Sequence, residues 1–188
     1  MEANMLETLL AYHCAPALAG IKPANIATCR KDSYPDLKSE IARLNGELNC
    51  RDIYIEILCE CENRALVMVY RRSVLEKHLQ LRAAAAFLAQ YGYRTGGGID
   101  ECLRFLKTRL GCDSFPHEIG VFLGYPLRDI YCFINHRDKG CLLVGEWRVY
   151  HDRENAEKLF RRFHKCRRAL VRNVVREGKT LAQIFCAA

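Results

Sequence analysis

"IYIEILCE" (53–60), followed by "ALVMVY" (65–70), decides the fold class. The first run alternates apolar and other side chains, and a period of two belongs to a strand. That alternation puts Ile53, Ile55, Ile57 and Cys59 on one face. Glu62, Asn63 and Arg64 supply a turn between the runs, so a β-hairpin is predicted over residues 53–70. A hairpin alone is marginal and needs a further strand. "CLLVGEWRVY" (141–150) reads as that third strand, with Gly145 at a bulge.

Outward from the hairpin the period becomes helical. Leu6, Leu9 and Leu10 form the apolar side of a helix over 5–12. Pro16 disfavours helix at Ala15, so this helix is predicted to stop near His13, and "PALAGI" (16–21) to open a second, short one. Leu37, Ile41, Leu44 and Leu48 mark a helix starting near Pro35. "SVLE" (73–76) has the capping-box pattern and opens a long helix ending before "GYRTGGG" (92–98). "IDECLRFLKTRL" (99–110) is amphipathic and closed by Gly111. "PHEIGVFLG" (116–124) and "PLRDIYCFIN" (126–135) are each opened by a proline, and Asp152 caps a final helix to about Glu177. The expected fold is therefore α+β, a small antiparallel sheet of about three strands covered by six or seven helices, as a single domain over residues 1–188.

The chain is long enough to bury a core without disulfide staples. Its eleven cysteines include no C-x-x-C pair, and the closest are Cys59 and Cys61. Paired knuckles for structural zinc are thus lacking, and most of these thiols are expected to pack as small apolar groups. "MEANMLETLL" carries Glu2 and Glu7 where a secretory signal would carry basic residues. The longest uncharged stretch, "TLLAYHCAPALAGI" (8–21), is too short and broken to span a bilayer. A cytoplasmic protein without membrane insertion is expected.

Three stretches, "HCAPALAGIKPAN" (13–25), "FPHEIGVFLGYPLRDIYCFI" (115–134) and "GEWRVYHDRENAEKLFRRFHKCR" (145–167), together resemble a bacterial family known as domain of unknown function 3793. The likeness runs through almost the whole chain. It implies a single-domain cytoplasmic protein of anaerobic clostridia, and it carries no activity with it. Ala17 and Pro23 depart from the family's usual wording, and neither alters a chemically active side chain.

Cys14 is the first candidate for chemistry. Placed just ahead of a proline-led helix start, its thiolate is favoured by free N–H groups and the helix dipole, with Lys22 and Arg30 adding positive field. In a loop His13 and Cys14 can turn toward one ligand; the plainer alternative is a buried helix-end cysteine. His117, in the first turn after Pro116, is expected to stay neutral, fit for a base or a metal ligand. Glu118 beside it either orients the imidazole or caps the helix. "HE" is not H-E-x-x-H, since Val121 stands where the second His would be. "RTGGGIDE" (94–101) suggests an anion nest, which Asp100 and Glu101 oppose.

Tyr125, Tyr131, Phe133, Trp147 and Tyr150 can line an apolar pocket for haem or flavin, or simply form core. Charge is asymmetric. Residues 1–147 hold 18 Lys+Arg and 18 Asp+Glu, and the last 41 residues hold 11 and 4, so the net +7 lies wholly at the end. There Leu159, Phe160, Phe163, Cys166, Leu170 and Val174 form one stripe, opposed by Arg161, Arg162, Lys165, Arg168, Arg172 and Arg176. Three readings follow. The first is a module of iron or redox metabolism holding iron, haem or flavin through Cys14 and His117, with His13, Lys22, Tyr125 and Trp147 around the ligand. The second is an enzyme with Cys14 as nucleophile, His117 as base and Glu118 orienting it. The third is an adaptor that docks the basic stripe on an acidic protein partner, or less favourably on nucleic acid.

Overall fold

The computed structural model describes residues 4–111, 115–137 and 139–186, and its contacts divide the chain into two compact units, Met1–Leu75 with Cys166–Ala188, and Glu76–Lys165. Together the described residues form an α+β protein, with nine α-helices, a three-stranded antiparallel sheet and a separate two-stranded one. Cys112 of the sequence lies outside the described residues, and the ten described cysteines are all free.

In the first unit α1 spans Met5–Leu18, β1 Ala24–Arg30, α2 Leu37–Leu48, β2 Ile53–Glu60 and β3 Arg64–Arg71. The hairpin β2–β3 stands as expected, but the third strand is β1, which adds to the other side of β3 in the order β1-β3-β2. Pairing steps from Ile57↔Val67 to Cys59↔Leu66, so Leu58 is the extra residue of a bulge. Cys59 therefore leaves the face of Ile53, Ile55 and Ile57, contrary to strict alternation. That face, with Ala27, Cys29, Ala65, Val67 and Val69, joins Leu6, Leu10, Cys14, Leu18 and Leu44 in one core. Asn45 of α2 accepts from the Ile55 N–H and donates to the Ile55 carbonyl, each at 2.8 Å, and so satisfies the free edge of β2.

α1 does not stop at His13. It runs through Pro16 to Leu18 and closes in a Schellman motif, with Gly20 at φ +72°. Ile21 N–H donates to the Pro16 carbonyl at 2.9 Å and Gly20 N–H to the Ala17 carbonyl at 3.0 Å. Arg71, at the end of β3, caps the Leu18 carbonyl with two guanidinium donors at 2.7 and 3.0 Å. Pro16 removes one N–H, yet the helix persists because Cys14, Ala15, Ala17 and Leu18 are all fully buried.

α3 (Arg72–Gln80) begins one residue before Ser73, and the S-x-x-E box does not form. Asp52 takes the capping role, accepting from both the backbone N–H and the hydroxyl of Ser73. Helix then breaks at Leu81, and α4 covers Arg82–Ala89. The second unit continues with α5 (Ile99–Leu110), α6 (Ile119–Phe122), α7 (Leu127–His136), β4 (Leu143–Val144) and β5 (Arg148–Val149). "CLLVGEWRVY" is thus a small hairpin of its own and not part of the larger sheet. Gly145 sits at its turn because a Cβ there would overlap the Phe160 ring. α8 spans Arg153–Val171, runs on as a π-helical turn over Arg172–Arg176, and α9 spans Leu181–Phe185. Asp152 accepts from Asn155 N–H at 3.2 Å, the cap expected for α8.

Candidate functional site

Cys14 lies in the first unit and His117 in the second. Because α1 continues past it, Cys14 is not at a helix start and gains no field from a helix N-terminus. It has no exposed surface. Burial drives its thiol far above the ordinary range; nearby Lys22 opposes this, Cys29 adds to it, and Arg167 opposes it. Arg30, expected to add positive field, is exposed and paired with Asp32 at 2.5 Å. Lys22 is itself buried, with 3% of its surface exposed. His13, about 100° around the helix from Cys14, is exposed and lines a shallow depression of about 350 Å³ with Met5, Leu9, Tyr12 and Tyr34.

His117 stands in the turn ahead of α6, its ring edge-on to Phe133 at 5.0 Å between centroids. Its imidazole is held below the ordinary value, first by burial and then by the Arg137 charge. The expected neutral form thus arises from packing and a neighbouring cation. Glu118 is buried, accepts from Arg109 Nε at 2.9 Å and from the Tyr93 hydroxyl at 3.4 Å, and makes no side-chain cap. It is turned to these partners, and no contact with His117 orients the imidazole.

Sequence reasoning missed a heavily hydrogen-bonded side chain in this unit. Asp129, in the first turn of α7 and 2% exposed, accepts from Trp147 Nε1 at 2.8 Å, from Tyr150 N–H at 2.9 Å and from His151 N–H at 3.0 Å. His151 Nδ1 lies 3.4 Å from the same carboxylate. The only signal was an acidic residue in a first turn, which ordinarily reads as a solvated dipole partner. Trp147 packs against Tyr125 with the rings tilted and the centroids 5.3 Å apart, and meets Phe160 edge-on at 4.6 Å. Burial, and then Glu146, push the Tyr125 hydroxyl up to about 12. These rings pack on one another as core, and Tyr131 is 60% exposed, so the five aromatics do not line one pocket. The glycine nest is filled as well, since the Glu101 carboxylate folds over Gly97.

Among the described residues no group of three or more His, Cys, Asp or Glu stands ready to hold a metal ion. No helix of the described residues is long and apolar enough to cross a membrane. The basic stripe is present as expected: Arg161, Arg162, Lys165, Arg168, Arg172 and Arg176 are all exposed. Phe160, Phe163, Leu170 and Val174 on the opposite side are buried. Arg161 reaches Glu157 at 3.9 Å and Arg172 reaches Glu177 at 3.5 Å. Arg162, Lys165, Arg168 and Arg176 have no carboxylate partner among the described residues.

A family model described as protein of unknown function (DUF3793) matches residues 10–185, nearly the whole chain. The chain belongs to this family. No curated protein and no solved structure matches it. All three stretches that carry the resemblance fall largely within the matched span, and two of them supply buried polar anchors, Glu118 and Asp129 with Trp147 and Tyr150.

Proposed function

We propose that this family member is a cytoplasmic adaptor that docks the cationic side of α8 and its following turn on an acidic protein surface. The observation that carries the reading is the row of exposed cations at Arg162, Lys165, Arg168 and Arg176 without carboxylate partners among the described residues. A paired surface cation must exchange one partner for another, whereas an unpaired one gains a partner outright. Arginine forks match carboxylates through two parallel hydrogen bonds. Glu157 and Glu177 bracket the stripe, and the aromatic side chains of α8, Phe160 and Phe163, are buried and present nothing for bases to stack on. An acidic protein therefore fits better than nucleic acid. A metal, haem or flavin module and a thiol enzyme both need Cys14 to present its sulfur, and that sulfur has no exposed surface.

The test uses a fluorescent poly-glutamate peptide and a duplex DNA of matched charge, followed by anisotropy at rising salt. The peptide is expected to bind in a salt-dependent way, more tightly than DNA, and Arg162→Glu with Lys165→Glu and Arg168→Glu should weaken it about tenfold or more. Unchanged binding by the triple variant rejects the surface. Tighter binding to DNA transfers the reading to nucleic acid.

A further inference from the structure

The first unit ends in a short, well-anchored element. Thr180 caps α9 with a complete capping box, and Leu181 N–H donates to the buried Glu7 carboxylate at 2.6 Å. Ile184, Phe185 and Cys186 pack partly against the core of this unit. Cys186 follows α9 directly, and Cys50 lies in the 3-10 turn Asn49–Arg51 that follows α2. Their sulfurs stand 4.0 Å apart, and each thiol also donates to the Glu47 carbonyl at 3.3 Å. Arg51 donates to the Cys186 carbonyl at 3.5 Å, holding the end of α9 beside the turn. Two thiols 136 positions apart in sequence thus converge on one backbone oxygen, and Cys50 is exposed.

We propose that Cys50 and Cys186 form a reversible disulfide by exchange with a low-molecular-weight disulfide such as oxidised glutathione. The Cys50 thiolate attacks one sulfur of the small disulfide, forming a mixed disulfide and expelling one thiolate. The Cys186 thiolate then attacks the Cys50 sulfur, closes the protein bond and expels the second. The protein dithiol loses two electrons and two protons, and the small disulfide becomes two thiols, so the exchange balances. Closing the 4.0 Å gap to a bond of about 2.05 Å needs a movement of about 2 Å, which side-chain rotation at the exposed Cys50 supplies. Burial, and then the adjacent Cys50 thiol, hold Cys186 above the ordinary thiol value, and the mixed disulfide at Cys50 removes the second of these causes before Cys186 attacks. The bond would lock the end of α9 to the end of α2, two elements already packed together. The proposal stands on this pair alone and is independent of the adaptor reading.

The full chain is titrated with oxidised glutathione, quenched with an alkylating reagent and digested with trypsin. Residues 44–51 and 180–188 are expected as one linked peptide, about 2 Da lighter than the two reduced peptides together and separable by reductant. Cys186→Ser should abolish that species and leave Cys50 as a glutathione adduct. Stable adducts at Cys50 in the unmutated chain, with Cys186 still alkylated throughout, would overturn the proposal. So would a linked peptide joining Cys50 chiefly to a cysteine other than Cys186.

Discussion

Cys14 and Asp129 are both buried side chains from the stretches that carry the family likeness, yet their surroundings follow opposite rules. Around Cys14 the first unit packs small apolar groups, Ala11, Ala15, Ala27 and Cys29, and the thiol is pushed toward its neutral form. Around Asp129 the second unit gathers the indole of Trp147 and the N–H groups of Tyr150 and His151 on a single carboxylate. One region is held by close packing of small residues, the other by donors that must find an acceptor. The contrast teaches that a residue type with chemical potential says little until its burial and its partners are known. A cysteine buried and pushed to its neutral thiol is a spacer, and a buried carboxylate with three or more donors is a joint.

The most severe test of this contrast is Asp129→Ala. It would leave the buried donors of Trp147 and Tyr150 and the half-buried N–H of His151 without their acceptor, and each buried group costs about 1–3 kcal/mol. A loss of about 4 kcal/mol in urea unfolding is expected, with Asp129→Asn losing less. A loss under about 1 kcal/mol would mean that water or another acceptor replaces the carboxylate, and the description of Asp129 as a joint would fail. Gly145→Ala comes next. A methyl group there meets the Phe160 ring, which is itself edge-on to Trp147, so the strain enters the same aromatic cluster. Overpacking of this kind costs about 1–3 kcal/mol, and a neutral result would show that the Phe160 ring is free to move.

Cys14 breaks or sharpens the other half. Cys14→Ala should cost about 1 kcal/mol, the loss of one packed sulfur. Cys14→Ser should cost about 1–2 kcal/mol, since a hydroxyl is costlier to bury in this core than a thiol. In the folded protein the exposed Cys50 and Cys61 should alkylate much faster than Cys14 at neutral pH. Preferential labelling of Cys14 would instead place it at an open site.

Much of the fold was legible in the sequence. The β2–β3 hairpin, α2, α5, α7 and α8 announce themselves by period and by end signals such as Asp152. What escaped has physical causes. β1 reads "ANIATCR", and its inner residues Ala27 and Cys29 are small, suited to a strand packed under α1 but poor in the branched side chains that mark strands. The true end of α1 was written in Gly20, and the local bias of Pro16 concealed it because burial of the following turn outweighs one missing N–H. The site was less legible still. Helix periodicity placed the six cations of the basic stripe correctly, since exposure on an amphipathic helix follows from spacing alone. The partners of Asp129 and Glu118, and the convergence of Cys50 with Cys186, depend on contacts far apart in the chain, which spacing does not encode.

The smallest expected effect concerns pH, and it reads the two regions from opposite sides of neutrality. His78 Nε2–H donates to the Val121 carbonyl at 2.9 Å, and burial holds its imidazole below the ordinary 6.5 despite that bond. A folded value below the unfolded one means that the unfolded chain takes the proton first. Stability is therefore intact above about pH 6.5 and falls as the pH drops through the folded value. Cys14 has the reverse sign: its folded thiol lies far above the ordinary 9.0, so the unfolded chain releases its proton first. Its share of stability is intact below that value and is lost as the pH rises past it. Urea midpoints measured from pH 5 to 10 should show both limbs. His78→Gln should flatten part of the acid limb and leave the alkaline limb unchanged, and Cys14→Ala should do the opposite. If Cys14→Ala left the alkaline slope as steep as before, its thiol would not be the desolvated group described, and the contrast between the two regions would lose its first member.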